Sequence, residues 1–168
     1  MKWFKVVMRR IGVFISIVGT LFAANKGFGG DQARKFSITK LAYQINSGKT
    51  LWAKGDTIIA FSSEDKLSLV ELTFKSSISN GSVWAEAYLH DGKIIGEKGW
   101  AYTNGQFTYG KSLASGQNIL TFKPGSWTLK PTHDRIVVVL IHQYGADDRD
   151  FRKVDKIYIN LRREEPKK

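Results

Sequence analysis

Between Leu67 and Ser112, apolar and polar side chains alternate in short runs, broken by three dipeptides: Asn80-Gly81, Asp91-Gly92 and Asn104-Gly105. Each pairs a residue tolerant of positive φ with glycine, as a two-residue type I′ hairpin loop requires. The pattern predicts four consecutive antiparallel strands over 67–79, 82–90, 93–103 and 106–112. A two-residue loop fixes which positions face each other, because a slip of one residue inverts every side chain. Through the first loop Ile78 would meet Val83, Phe74 would meet Ala87 and Leu72 would meet Leu89. The second would set Leu89 against Ile94 and Val83 against Trp100. The third would set Tyr102 against Phe107 and Trp100 against Tyr109. Three turns read separately thus agree on one apolar face, which is predicted to be core.

The opposite face then carries Glu71, Thr73, Lys75 and Ser77 on the first strand, and Trp84, Glu86, Tyr88 and His90 on the second. In that register Lys75 lies opposite Glu86 and Glu71 opposite His90, while Glu86 against Glu97 calls for a bulge or a bound cation. Further strands are expected at 36–45, 57–61, 118–123, 135–143 and 156–162. The unbroken apolar run Ile136 to Ile141 reads as a central strand buried on both sides. No window after residue 30 has a helical period with caps. Eight or nine short strands with glycine turns define an all-β chain, an antiparallel two-sheet β-sandwich of jelly-roll or immunoglobulin-like kind.

Ahead of this pattern stands a segment of a different build. Lys2, Lys5, Arg9 and Arg10 precede an uncharged run from Ile11 to Ala24 that ends in Ala23-Ala24, the layout of a cleaved signal peptide. As a helix that run would cover about 21 Å, short of the roughly 30 Å of bilayer hydrocarbon. An uncleaved membrane anchor is the alternative. The expected organisation is a leader or anchor at 1–24, a glycine-rich linker at 25–35, the sandwich domain at 36–162 and a charged tail at 163–168. Such a protein would be secreted, periplasmic or held at the cell surface. Without cysteine there is neither a lipid attachment thiol nor a disulfide, so packing alone must hold the domain.

Charge narrows the partners without naming one. The chain carries 26 Lys and Arg against 15 Asp and Glu, a net +11, and loss of the leader's four basic residues leaves 22 against 15, or +7. That surplus favours anionic partners such as acidic envelope polymers; nucleic acid is a poor expectation outside the cytoplasm, and membrane contact would come only through residues 1–24.

The remaining motifs lose to their context. Gly105 to Ser112 matches the spacing of a phosphate loop, but alternating Phe107 and Tyr109 give it a strand's period where that loop must open a helix. Asp147, Asp148 and Asp150 crowd one loop and form a candidate calcium site, with no second half visible. Asn80-Gly81-Ser82 is a formal glycosylation sequon whose residues the turn already explains. His90, His133 and His142 lack metal-ligand spacing, and Glu71 with His90 or His133 with Asp134 make half a catalytic pair with no placed nucleophile. The chain is therefore read as a non-enzyme without a cofactor other than possible calcium, with a small hydrolase as the least favoured class.

Trp84 and Tyr88 are the pair that points to a ligand. They lie four residues apart on one strand face, about 13 Å, beside Glu86 and His90. Flat rings on a rigid sheet suit stacking against sugars, with the polar side chains bonding hydroxyls. This layout resembles carbohydrate-binding jelly-roll modules, in architecture alone. It implies a binding module for a glycan or anionic envelope polymer through Trp84, Tyr88, Glu86 and His90. The alternative is a structural subunit that self-associates through the same face, and a segment near Trp52 covering the rings is the competing structural reading.

Overall fold

The computed structural model describes residues 35–92, 102–146 and 150–164, with backbone alone at 102–104. The leader or anchor, the linker to residue 34, residues 93–101 of the strand predicted over 93–103 and the tail from 165 lie outside the described residues, and so do Asp147 and Asp148. Among the described residues the chain is all-β, without a helix. Its strands are β1 (Phe36–Ile45), β2 (Leu51–Ala53), β3 (Ile58–Phe61), β4 (Lys66–Ser76), β5 (Ser82–Asp91), β6 (Tyr102–Phe107), β7 (Lys111–Ser112), β8 (Gly116–Thr121), β9 (Trp127–Thr128), β10 (His133–Gln143) and β11 (Phe151–Arg163). A five-stranded sheet runs β2-β1-β4-β8 with β9 also on β4. A six-stranded sheet runs β3-β11-β10-β5-β6 with β7 also on β5. The core lies between them, formed from Leu41, Leu67, Leu72, Phe74 and Leu120 on one side and Val83, Leu89, Ile136, Leu140 and Ile159 on the other. The fold is sandwich-like.

The predicted meander is not the observed topology. β4 and β5 belong to different sheets, β4 pairing with β1 and β8 and β5 with β10 and β6. Phe74 therefore lies beside Ile38 and Asn118 rather than Ala87, and Leu72 beside Leu41 and Leu120 rather than Leu89. Asn80-Gly81 crosses from one sheet to the other. Gly81 has φ +87°, and a Cβ there would sit 2.1 Å from the Gln143 carbonyl oxygen of β10, so the crossing presses on a strand instead of closing a hairpin.

Leu89 pairs with Ile136 on one side and with Thr103 on the other, where the register through Asp91-Gly92 would have set Ile94. Asn104-Gly105 lies inside β6, where the register with β5 shifts between Ala87 and Leu89. That is a bulge, and Tyr102 and Phe107 share one strand instead of facing each other. With the register go the expected pairs Lys75–Glu86 and Glu71–His90: Lys75 and Glu71 sit on the five-stranded sheet, opposite Gln117 and Thr121.

The alternation read for β4 and β5 is observed, but it fails beyond them: Phe107, expected on the core face, lies opposite Glu86 on the outer face, and Tyr109, also expected on the core face, is exposed. Val83, Ala85, Ala87 and Leu89 are buried while Ser82, Trp84, Glu86, Tyr88 and His90 alternate with them outward. β10 is a central strand with Ile136 to Ile141 buried throughout, as its apolar run implies. Hydrogen bonds of Gln106 and Asp155 link the sheets. The Gln106 side chain accepts from the Leu69 amide (3.1 Å) and donates to the Leu67 carbonyl (3.4 Å). Asp155 of β11 accepts from the Ile38 amide of β1 at 2.6 Å.

Candidate functional site on the outer face of the six-stranded sheet

β5 can hold large rings outward because its inward positions are filled by Val83, two alanines and Leu89, which seat it tightly between β10 and β6. Residues two apart on a strand share a face. Glu86 is thereby placed between Trp84 and Tyr88, and it binds both: Trp84 Nε1 donates to Oε1 at 3.3 Å and the Tyr88 hydroxyl donates to Oε2 at 2.7 Å. The ring of Phe151 lies 6.1 Å from Trp84, tilted by 57°, and that of Phe107 lies 6.3 Å from Tyr88, edge to face at 87°. The result is a line of four half-buried aromatic rings with one carboxylate at its centre. Gly105 is part of the same packing, since a Cβ there would meet the Phe107 ring at 2.7 Å and the Tyr88 ring at 3.1 Å.

Beside this line, β10 turns Ile141, Val139 and Val137 outward opposite Trp84, Glu86 and Tyr88. All three are about 1% exposed although they stand outside the inter-sheet core. Beyond them Lys153, Lys156 and Tyr158 of β11 complete the face, with the Lys156 ammonium 5.3 Å from the centre of the Tyr158 ring. Electrostatics follow from burial. The Tyr88 hydroxyl is pushed well above its ordinary range, first by burial, then by the negative charge of Glu86 and their hydrogen bond. Burial lowers the Lys153 ammonium, against the pull of Glu86.

The four residues singled out from the sequence are not one cluster. Trp84, Glu86 and Tyr88 form a bonded unit; His90, at the end of β5, turns to Asp134, with Nδ1 and Oδ1 2.5 Å apart. Asp134 sits where β10 slips register against β5, and its other oxygen is 3.5 Å from Arg135 Nη2. His133 is buried across from Asp91, Nε2 to Oδ2 3.9 Å, and its Nδ1 accepts from the Lys130 amide. The histidine half-pairs are thus His90–Asp134 and His133–Asp91, not Glu71–His90 or His133–Asp134. His142 lies at the far end of β10, buried, with Nε2 2.8 Å from the Asn80 carbonyl oxygen. Trp52 belongs to the five-stranded sheet, opposite Ala42 of β1, so it does not cover Trp84 and Tyr88.

Of the three candidate calcium ligands only Asp150 is described; its backbone carbonyl accepts from Tyr144, and its carboxylate presses on Gly145. No three His, Asp or Glu side chains among the described residues stand together as a metal site. The residues spaced like a phosphate loop lie in β6, β7 and the bend between them. No helix among the described residues is long and apolar enough to cross a membrane. The sequence pattern set Phe107 on the core face and gave no sign of Phe151, because their places beside Tyr88 and Trp84 depend on non-local pairing; the glycine at 105 was the available signal for a ring lying close to the backbone.

No family of known proteins matches this chain, and no curated protein is similar to it.

Proposed function

We propose that this chain is an exported, non-catalytic binding module of jelly-roll type for a glycan or anionic envelope polymer, and that the ligand lies across Trp84 and Tyr88. The observation that carries the reading is the Glu86 carboxylate held between them. It ties down the polar edge of each ring, fixes both orientations on a rigid strand, and leaves the flat faces as the remaining contact surface, so little ordering has to accompany binding. The positive balance of the chain adds attraction for acidic polymers. Replacing Trp84 and Tyr88 together by Ala is expected to abolish retention on a neutral polysaccharide in affinity electrophoresis while the melting temperature moves by only a few degrees. A cooperative collapse of the fold in the double variant would make the rings structural and end the reading.

One observation favours a second reading, a subunit that self-associates through this face. Tyr158 of β11 stands exposed on this face beside the half-buried rings of Trp84 and Phe151, as part of a contact surface between copies would. Sedimentation separates the two: self-association weakened by Trp84→Ala and Tyr88→Ala supports the assembly subunit, and a monomer that retains polysaccharide supports the binding module.

A further inference from the structure

The outer face of the opposite, five-stranded sheet carries a row of residues that runs straight across its strands. Ala42 of β1 lies between Trp52 of β2 and Glu71 of β4, and Glu71 lies opposite Thr121 of β8. Beyond β8 the chain at 108–109 adds one more rung, since Thr108 bridges Phe122 and the Tyr109 amide donates to the Thr121 carbonyl. Tyr109 therefore ends the row that Trp52 begins, four strand spacings or about 19 Å away. These two rings are among the most exposed apolar side chains described, at 47% and 55%. Each carries a cation: Lys40 Nζ is 3.8 Å from the centre of the Trp52 ring and Lys123 Nζ 5.7 Å from that of Tyr109.

Between the rings lies Ala42, a small side chain fully covered by its neighbours. Alongside it stands Thr73, flanked by Lys40 and Ile119 and outward by parity, since Leu72 and Phe74 are core. Thr73 is 2% exposed and its hydroxyl has no hydrogen-bond partner. A buried hydroxyl without a partner is rare in a native fold and asks what would satisfy it.

We infer that this row is a second binding strip, and that its occupant is an acidic sugar polymer such as a uronic-acid chain. Sugar rings stack on Trp52 and Tyr109, carboxylates pair with Lys40 and Lys123, and a hydroxyl reaches Thr73 while Glu71 accepts from another. The strip faces away from Trp84 and Tyr88, so one molecule holds two polymer chains, one on each sheet. The inference rests on the reading of the domain as a glycan-binding module.

The test is affinity electrophoresis of the full chain in gels containing polygalacturonate or its fully methyl-esterified form, which differ in charge alone. Wild type is expected to be retarded by the acidic polymer and much less by the ester. Trp52→Ala with Tyr109→Ala should weaken binding to polygalacturonate at least tenfold, and Lys40→Gln should narrow the difference between the two gels. Thr73→Val should weaken binding while the melting temperature holds, since the hydroxyl it removes has no partner in the fold. Unchanged retardation in the Trp52 and Tyr109 double variant, or equal retardation by acid and ester, overturns the strip. If Trp84→Ala with Tyr88→Ala alone loses binding, the strip fails and the module stands; if wild type is retarded in neither gel, the module fails as well.

Discussion

The hydroxyl of Tyr88 donates to the carboxylate of Glu86 at 2.7 Å, so the ring that faces the proposed ligand is locked by a negative charge. That contact sets a pH dependence. In the unfolded chain the phenol ionises near its ordinary value of 10, whereas in the fold burial and Glu86 hold it neutral well above that. The folded state then binds the extra proton, and stability is lost as pH rises past 10. Glu86→Gln removes the charge but not the burial, so Tyr88 is expected to ionise earlier. Tyrosinate absorbance should count more ionised phenols before alkaline unfolding in the variant than in wild type; identical curves would show that the contact has no hold on the ring.

At the acid side His133 has the opposite sign. Burial lowers its pKa below the ordinary 6.5, with Asp91 opposing the shift. Its contribution to stability is present above 6.5 and is lost as pH falls below that value through the lowered one. His133→Asn keeps an acceptor for the Lys130 amide while removing the titration. Urea midpoints should fall less between pH 7 and pH 5 in the variant than in wild type.

Gly81→Ala tests the crossing between the sheets. The added Cβ would take a positive φ, itself a cost of roughly 1–2 kcal/mol, and would press on the Gln143 carbonyl oxygen 2.1 Å away. The expected loss of stability exceeds the first figure, measured by thermal unfolding. A variant as stable as wild type would mean that the crossing relaxes freely.

Gln106→Leu should cost about 1–3 kcal/mol, the penalty for leaving a buried amide unpaired, here that of Leu69. Denaturant unfolding at constant m-value reads it. The same substitution at Gln117, an exposed residue of β8, serves as the control and should be near neutral.

The extent to which the fold is legible in the sequence follows from what parity can and cannot say. Leu72 and Phe74 share an inward face with Val83, Ala87 and Leu89 whether β4 and β5 lie side by side or confront each other across the core, because both arrangements point the same residues inward. The boundaries of β1 and the burial of β10 followed from local pattern for that reason. Partner choice did not: Asn-Gly and Asp-Gly signal a change of direction, and only the packing of Gly81 on Gln143 and of Gly105 on Phe107 distinguishes a crossing or a bulge from a hairpin. The outward placement of Trp84, Glu86 and Tyr88 was likewise legible. Their mutual hydrogen bonds depend on side-chain rotamers, and the turn of His90 toward Asp134 on a slipped register, neither of which a pattern announces. Trp52 sits in a strand of three residues, too short for alternation to mark its face.

The parallel pairing of β3 with β11 has a consequence for how the chain reaches this state. Ile58 to Phe61 must wait for Asn160 to Arg163, a hundred residues further on, before that edge has a neighbour. During synthesis from the N-terminus, β3 therefore stays unmatched until β11 has been made, and removing β11 would strand Ile59 and Phe61 in water. A chain cut short before β11 is thus a substrate for proteases and holding chaperones rather than a smaller version of the same domain.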